Sequence, residues 1–442
     1  MSEKITWSDD QLAVLNHLKN SDDNIYITGN AGSGKTTLLK EIVRTQPRCV
    51  VCAPTGIAAL NAGGVTIHSL LRLPIRPYQP MYGRRGKPIF QLHPYLLAEE
   101  SIKVIQAMDT LIIDEISMVR ADLMDAMNDA LCFYRECHEP FGGVRVIMMG
   151  DLFQLPPVTT VDDWGVVSKF YDSEFFFDAH IFRYTKLVPF KLNTVFRQKD
   201  NKFVDILNRI RIGDISNNTS GDINNLLYKP NFIEDNKNWV TIVATNNEAS
   251  RINQNKLNKV DGKKFKNKAV ITGNIKIDEV TAENELVLKE GCRVMSLVND
   301  TSGGMYVNGS IGTYITNKKI EATGDTVLVV DFDGIEVDIP IYNWLKTAYS
   351  IGEDNKMEST VTGKCSQYPL KLAWAITTHK SQGLTFDNVI VDMKYSFANG
   401  QVYVALSRGT SIDGTVLINK IKDSQISLSK SFIKRLSEKG LL

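Results

Sequence analysis

The chain has 442 residues, 43% of them hydrophobic, and a formal net charge of +1; that length exceeds what one hydrophobic core usually organises and points to two or more packed domains. No apolar run approaches the roughly 18 residues a membrane span needs, and the start, MSEKITWSDDQ, lacks a signal-peptide core, so a soluble, cytoplasmic protein is expected. Six cysteines are too few for a disulfide framework in a chain this long, which predicts reduced thiols.

In chain order, the first signal is Gly29-Asn-Ala-Gly-Ser-Gly-Lys35-Thr36. An apolar strand over 24–28 runs into it and the helical stretch TLLKEIVR leaves it. That strand, loop and helix order is the setting a G-x-x-x-x-G-K-T loop requires to hold phosphates. Gly29, Gly32 and Gly34 let backbone N–H groups turn inward, and the helix N-terminus favours negative charge. Lys35 reaches the outer phosphates, Thr36 offers a hydroxyl to magnesium, and Ser33 and Thr37 complete the nucleotide loop.

RCVVCAPT reads next as a buried strand. Its Cys49 and Cys52 have C-x-x-C spacing, but residues three apart on a strand face opposite sides and cannot share a metal. Charge is uneven here: no Asp or Glu lies between Glu41 and Glu99, whereas Arg44, Arg48, Arg72, Arg76, Arg84, Arg85 and Lys87 do. Such a segment suits an anionic polymer, although an arginine-rich loop balanced by acids elsewhere in space gives the same count. The part at 69–98 is rich in proline, arginine and aromatics. It predicts a projecting insertion, with Tyr78, Tyr82, Phe90 and Tyr95 as surfaces on which bases stack near a fork.

A second strand, 110–113, ends in Asp114-Glu115, placing a carboxylate pair at the C-terminal edge of the same parallel sheet. Asp114 would hold magnesium through water. Glu115 would activate the attacking water, since phosphoryl transfer asks for positioning and charge stabilisation more than covalent chemistry. A third strand, 144–149, leads to Gly150-Asp-Leu-Phe-Gln154, whose amide is placed to touch a γ-phosphate; read alone, the segment is only a turn after a strand. Far downstream, Arg197 in NTVFRQKD and Arg408 in QVYVALSRGTS are either arginines that reach the γ-phosphate from a second domain or ordinary surface ion-pair partners.

The first α/β domain is expected over 1–185, with the basic insertion at 69–98. KLVPFKLNTVFRQ opens a second α/β domain, 186–286 and 363–442, with a strand at 239–244, a helix after it, and strands resuming from Pro369. Between its halves, 287–362 changes to short alternating strands with Gly-rich turns, which predicts a small antiparallel β-barrel. The Asn- and Lys-rich stretch 217–284 reads as solvated loops.

Taken in order, GNAGSGKTT, APTGIAALNAGGVTIHS, LIIDEISMVRADLMDAM, GGVRVIMMGDLFQLPPV, VFRQKD, VNGSIGT, AITTHKSQGLTFDNVIVD and YVALSRGT resemble the superfamily 1 helicases, specifically the petite-integration-frequency (PIF) helicase family. ISMVRADLMDAMNDALCFYR resembles the stretch that separates this family from the RecD-like helicases. The resemblance implies an α/β protein with two RecA-like P-loop motor domains, each with a parallel sheet, and an SH3-like β subdomain at 287–362. It also implies an ATP-dependent DNA helicase that moves 5′-to-3′ on single-stranded DNA, uses ATP and Mg2+, and opens tailed or forked duplexes. G-quadruplex DNA and RNA–DNA hybrids are further substrates of the family.

Carried over residue by residue, the resemblance has Gln11 reading the adenine edge, Lys35 and Thr36 binding phosphates and magnesium, and Asp114 and Glu115 holding metal and activating water. Gln154, Arg197 and Arg408 would sense and stabilise the γ-phosphate, with Gln382 and Gly383 completing the site. Pro54, Thr55, Gly56, His68 and Ser69 on the first domain, and Thr378, His379 and Lys380 on the second, would grip single-stranded DNA through backbone amides and hydroxyls without reading its sequence. The short termini resemble a compact bacterial or phage member. A monomer is expected because both halves of the ATP site lie in one chain. A translocase or switch that hydrolyses nucleotide without separating strands is the alternative the residues leave open.

Overall fold

Ile25–Gly29, Thr110–Ile113 and Arg145–Gly150 are buried along their whole length, as strands covered on both faces must be. They form the centre of a six-stranded sheet that runs in space Val65–Thr66, Cys49–Ala53, Thr110–Ile113, Arg145–Gly150, Ile25–Gly29, Val188–Leu192. Every neighbouring pair is parallel. The helix Lys35–Thr45 covers the sheet with Leu38, Leu39 and Ile42, which join Ile27, Ile112 and Ile147 in one core. Each such side chain contributes about 1.5–3 kcal/mol when fully buried.

The structure, a computed structural model, describes residues 6–442 apart from 47, 75, 83–87, 90–96, 199, 233–238, 301–304, 322–323 and 352–356. The chain divides into one unit of 1–196, 346–362 and 429–442 and a second of 197–345 and 363–428. The first therefore does not close at 185. Val188–Leu192 pairs in parallel with Ile25–Gly29, from Ile25↔Val188 to Gly29↔Leu192, and adds the sixth strand. The helix Lys430–Glu438, expected in the second motor domain, also belongs to the first unit, where its Phe432 and Leu436 are buried.

In the second unit Val240–Val243 lies between Ala375–Thr377 and Val389–Asp392, with Thr415–Leu417 outside the latter, all parallel. A separate antiparallel sheet runs Ile335–Ile339, Thr326–Phe332, Ile311–Lys319, Arg293–Ser296, Leu370–Leu372 around a core that includes Val294, Tyr314, Leu328, Val330 and Tyr368. Leu370–Leu372 thus pairs with Arg293–Ser296, and the chain enters the parallel sheet only at Ala375.

The stretch 217–284 is not a set of loops. Beside the helix expected after the 239–244 strand, Asn246–Lys259, it contains the helix Thr219–Leu227 and the strand Lys264–Lys268, which pairs with Glu285–Lys289. Its polar composition reflects one-sided burial: Ala249 and Leu257 are the buried positions of the longer helix, and alternate residues of the strand stay exposed. Among the described residues no helix is long and apolar enough to cross a membrane.

Candidate nucleotide and nucleic-acid site

The phosphate loop joins Ile25–Gly29 to the helix Lys35–Thr45. Gly34 opens that helix at φ +78°, a backbone that favours glycine, and a Cβ there would meet Gln11 Nε2 at 2.7 Å and push that amide aside. Gln11 is only 3% exposed. Its oxygen accepts from the Ser8 N–H at 3.1 Å and its amide donates to the Ser33 carbonyl at 3.4 Å, which ties the helix Asp9–Asn20 to the loop. Burial tends to raise the Asp10 carboxyl, but the Ser8 hydroxyl and the N–H groups of Asn193, Thr194 and Gln11 hold it below its ordinary range. Lys35 Nζ donates to the carbonyls of Gly29 at 2.7 Å and Asn30 at 3.1 Å, folded over its own loop. The Ser33 hydroxyl is buried without a hydrogen-bond partner. Such an orphan in a phosphate loop suits an anionic oxygen.

Asp114 continues the edge: its N–H donates to the Cys52 carbonyl at 2.9 Å, one step past Ile113. Burial pushes its carboxyl up, while the Glu115 N–H and the Lys35 ammonium pull it down. Glu115 adopts φ +50° and ψ 44°, a left-handed conformation costly for a residue with a Cβ, and opens the short turn Ile116–Met118. One strand along, Asp151 accepts from the Phe153 N–H at 3.2 Å and from Gln154 Nε2 at 3.4 Å, leaving Gln154 7% exposed. Because the strands are parallel and in register at Thr28↔Gly150 and Ile113↔Met148, the loop, the acid pair and Gln154 all leave the same edge of the sheet.

No group of three His, Cys, Asp or Glu among the described residues could hold a metal unaided. Magnesium commonly binds through one or two protein oxygens plus substrate phosphates. Thr36, exposed at the start of its helix, and Asp114 fit that arrangement. Burial pushes the Cys49 thiol up to about 12.

Pro54, Thr55 and Gly56 follow the strand Cys49–Ala53, and His68 and Ser69 follow Val65–Thr66; the two strands pair at Cys52↔Val65 and Ala53↔Thr66, so these segments leave the sheet side by side. Thr55 and Thr66 each cap a helix, accepting from Ala58 N and Ser69 N at 3.2 Å. Burial, then the Arg120 charge, pushes the His68 imidazole down, with Asp122 opposing. The helix Ala121–Tyr134 holds Tyr78: Asp122 accepts its N–H at 2.8 Å and Asp129 accepts its hydroxyl. Tyr78 is therefore an anchor for the segment that begins the insertion. Two of the seven bases are also balanced, Arg44 by Glu41 and Arg48 by Asp109. Arg84, Arg85, Lys87, Phe90 and Tyr95 lie outside the described residues.

In the second unit, the Thr378 hydroxyl donates to the Val243 carbonyl at 3.1 Å and the Ser381 hydroxyl to the Thr378 carbonyl at 2.8 Å. His379 is half-buried, and burial pushes its imidazole down. Lys380 and Gly383 are exposed, Gln382 is half-buried, and Gly383 has φ +80°. Arg408 is 2% exposed and points inward. It donates to the carbonyls of Val404, Ser381 and Leu384 at 2.9–3.3 Å and to the Ser407 hydroxyl at 2.8 Å. Arg197 donates to the Ser407 carbonyl at 3.1 Å, and burial pushes its guanidinium down. The fold thus gathers Arg197, Arg408 and the 381–384 segment around Ser407. Sequence reasoning missed Gln198, whose amide bridges the carbonyls of Ser407 and Gly409, and Asp151, which holds Gln154. The S-x-x-Q spacing of Ser8 and Gln11, a capping box at the start of Asp9–Asn20, is a local signal only for the placement of Gln11.

A phosphate loop, an acid pair and a glutamine on one edge of a parallel sheet define a RecA-like P-loop nucleotide-binding protein. The sequence model of the PIF1-like helicases matches residues 6–221. The ATP-dependent DNA helicase PIF1 of Danio rerio is 32% identical over 92% of this chain and 60% of its own length. The Pif1 of Bdellovibrio bacteriovorus is 30% identical over 94% of this chain and 88% of its own. Bacteroides Pif1 solved with ADP-AlF4 superposes with a TM-score of 0.87 at 35% identity, covering 99% of both chains, and solved with single-stranded DNA with 0.70 at 36%, covering 98% and 97%. The chain belongs to the PIF1-like helicase family. It spans about 60% of the length of the vertebrate relatives it matches.

Proposed function

We propose that the chain is an ATP-dependent DNA helicase that translocates 5′-to-3′ on single-stranded DNA and separates tailed or forked duplexes. The observation that carries this reading is the single sheet edge from which Lys35, Asp114, Glu115 and Gln154 emerge, in a chain of this family. The relatives' names as ATP-dependent DNA helicases, and the Bacteroides structures with ADP-AlF4 and with single-stranded DNA, support it.

Lys35 leaves the Gly29 and Asn30 carbonyls to meet the outer phosphates, while loop N–H groups and the Ser33 hydroxyl take the inner ones. Gln11 sits behind the loop to receive the adenine edge. Magnesium, held by Thr36 and by Asp114 through water, would neutralise charge between the phosphates. Glu115 orients and deprotonates the attacking water, and Gln154 senses the outer phosphate. Arg197, Arg408, Gln382 and Gly383 are proposed to stabilise the transferring phosphate when ATP is bound. Pro54, Thr55, Gly56, His68 and Ser69, together with Thr378, His379 and Lys380, are the proposed grips on the DNA backbone. The direction of travel rests on family resemblance.

Unwinding of matched duplexes with a 5′ or a 3′ single-stranded tail tests motor and polarity together. ATP-dependent opening from the 5′ tail alone is the expected result. Opening from the 3′ tail would reverse the polarity, and DNA-stimulated hydrolysis without opening would leave a translocase.

A further inference from the structure

The helix Lys430–Glu438 places Phe432 and Leu436 on one buried stripe, which requires an apolar surface to lie on. Phe432 meets Phe153 edge-on with ring centroids 6.1 Å apart, and lies 4.7 Å from Phe175 and 6.4 Å from Phe177. A polar clamp stands beside these rings. Arg435 donates to Asp178 at 3.0 Å and reaches Asp172 at 3.4 Å, and Lys439 Nζ lies 3.6 Å from the other Asp178 oxygen. The Asp178 side chain is 4% exposed, so this clamp is less screened than a surface pair.

Phe153 directly precedes Gln154. The two share a tight turn in which the Gln154 N–H donates to the Asp151 carbonyl at 2.9 Å and the Phe153 N–H to the Asp151 carboxylate. A shift of the Phe153 ring therefore carries the Gln154 backbone with it. We propose that Phe432 and Arg435 are positioning residues for Gln154: their helix seats Phe153 and so fixes the turn that presents the Gln154 amide to the outer phosphate. This rests on the phosphate-sensing role proposed for Gln154. Misplacing a reacting or sensing group by about 1 Å costs up to about a hundredfold in rate, so a residue remote from the nucleotide can set turnover without touching it.

The test compares Phe432→Ala, Phe432→Tyr, Arg435→Gln, Gln154→Ala and the Phe432→Ala/Gln154→Ala double variant in the full chain. Each is assayed for kcat and KM of ATP hydrolysis with single-stranded DNA, for DNA affinity, and for melting temperature. Phe432→Ala is expected to lower kcat about tenfold with KM and DNA affinity within about twofold, and Arg435→Gln to do the same about threefold. Phe432→Tyr, which keeps the ring, should stay near wild type. The double variant should be no slower than Gln154→Ala alone, because both changes act through one group. If Gln154→Ala is slow while Phe432→Ala and Arg435→Gln turn over normally, or if the double loss is the product of the single losses, the positioning proposal is overturned. Wild-type kcat in Gln154→Ala would instead remove the sensing role on which it rests, and the proposal with it.

Discussion

The two units hold their candidate phosphate-contacting cations, Lys35 and Arg408, in opposite ways. In the first, Asp114 and Glu115 follow directly on a strand, and Lys35, at the start of its helix, donates to the carbonyls of Gly29 and Asn30 in its own loop. In the second, Arg408 is packed inside, spending its donors on Val404, Ser381, Leu384 and Ser407, and Arg197 is half-buried against the Ser407 carbonyl. An ammonium that donates to carbonyls of its own loop can exchange them for phosphate oxygens without unpacking a core. A guanidinium with four buried partners is part of the architecture, because removing it leaves those acceptors unsatisfied. Substitution of Lys35 should therefore separate chemistry from folding, and substitution of Arg408 should not.

The sharpest test of that contrast is Lys35→Ala, which should lower hydrolysis by about a thousandfold or more while leaving single-stranded DNA affinity and melting temperature close to wild type. Parallel loss of all three would place Lys35 among the structural groups. Next in size, Glu115→Gln should bind ATP normally and turn over about a hundredfold more slowly, read as single-turnover hydrolysis against equilibrium nucleotide binding. Its positive φ is unchanged by the substitution, so a large fall in melting temperature is not expected.

Arg408→Ala should show the mixed behaviour: slower turnover together with about 2–4 kcal/mol of lost stability in denaturant unfolding. Full stability in that variant would contradict the inward, structural role described for the side chain.

The smallest effect concerns the anchor of the basic insertion. Burial pushes the Asp129 carboxyl up to about 6, against the Tyr78 and Asn128 hydrogen bonds, which lower it, and with Asp125 adding a further push up. Since its folded pKa lies above the unfolded one, the folded chain holds the proton more tightly, and stability falls as pH rises from about 4 to about 6 before levelling off. Asp129→Asn should therefore raise the melting temperature by a few degrees near pH 7 and by almost nothing near pH 3.5. An equal gain at both values would mean that ionisation of Asp129 is not the cause.

Much of the nucleotide edge was legible in the sequence, because its determinants are local: glycines that must turn, a lysine and a threonine at a helix start, acids directly after an apolar run. What escaped was non-local or one-sided. Val188–Leu192 reads like the opening of a new domain, since nothing in its residues says that its partner is Ile25–Gly29. Nothing near Tyr78 in the sequence says that the fold brings Asp122 and Asp129 to its N–H and hydroxyl. The strand Lys264–Lys268 hides in a lysine-rich stretch because only alternate positions are covered. Arg408 reads from the sequence as either a γ-phosphate arginine or a surface ion-pair partner; its inward course depends on carbonyls of the 381–384 segment, which no spacing rule connects to it.

The return of Lys430–Glu438 to the first unit also constrains how the protein is made. A ribosome completes the six strands of the first sheet by Leu192, yet the surface formed by Phe153, Phe175 and Phe177 stays without its Phe432 cover until more than half of the chain has followed. During that interval the nascent first unit shows solvent an aromatic patch, a natural target for holding chaperones and for aggregation. Synthesis of Lys430–Glu438, and not completion of the sheet, is then the moment at which the first unit can reach its final state.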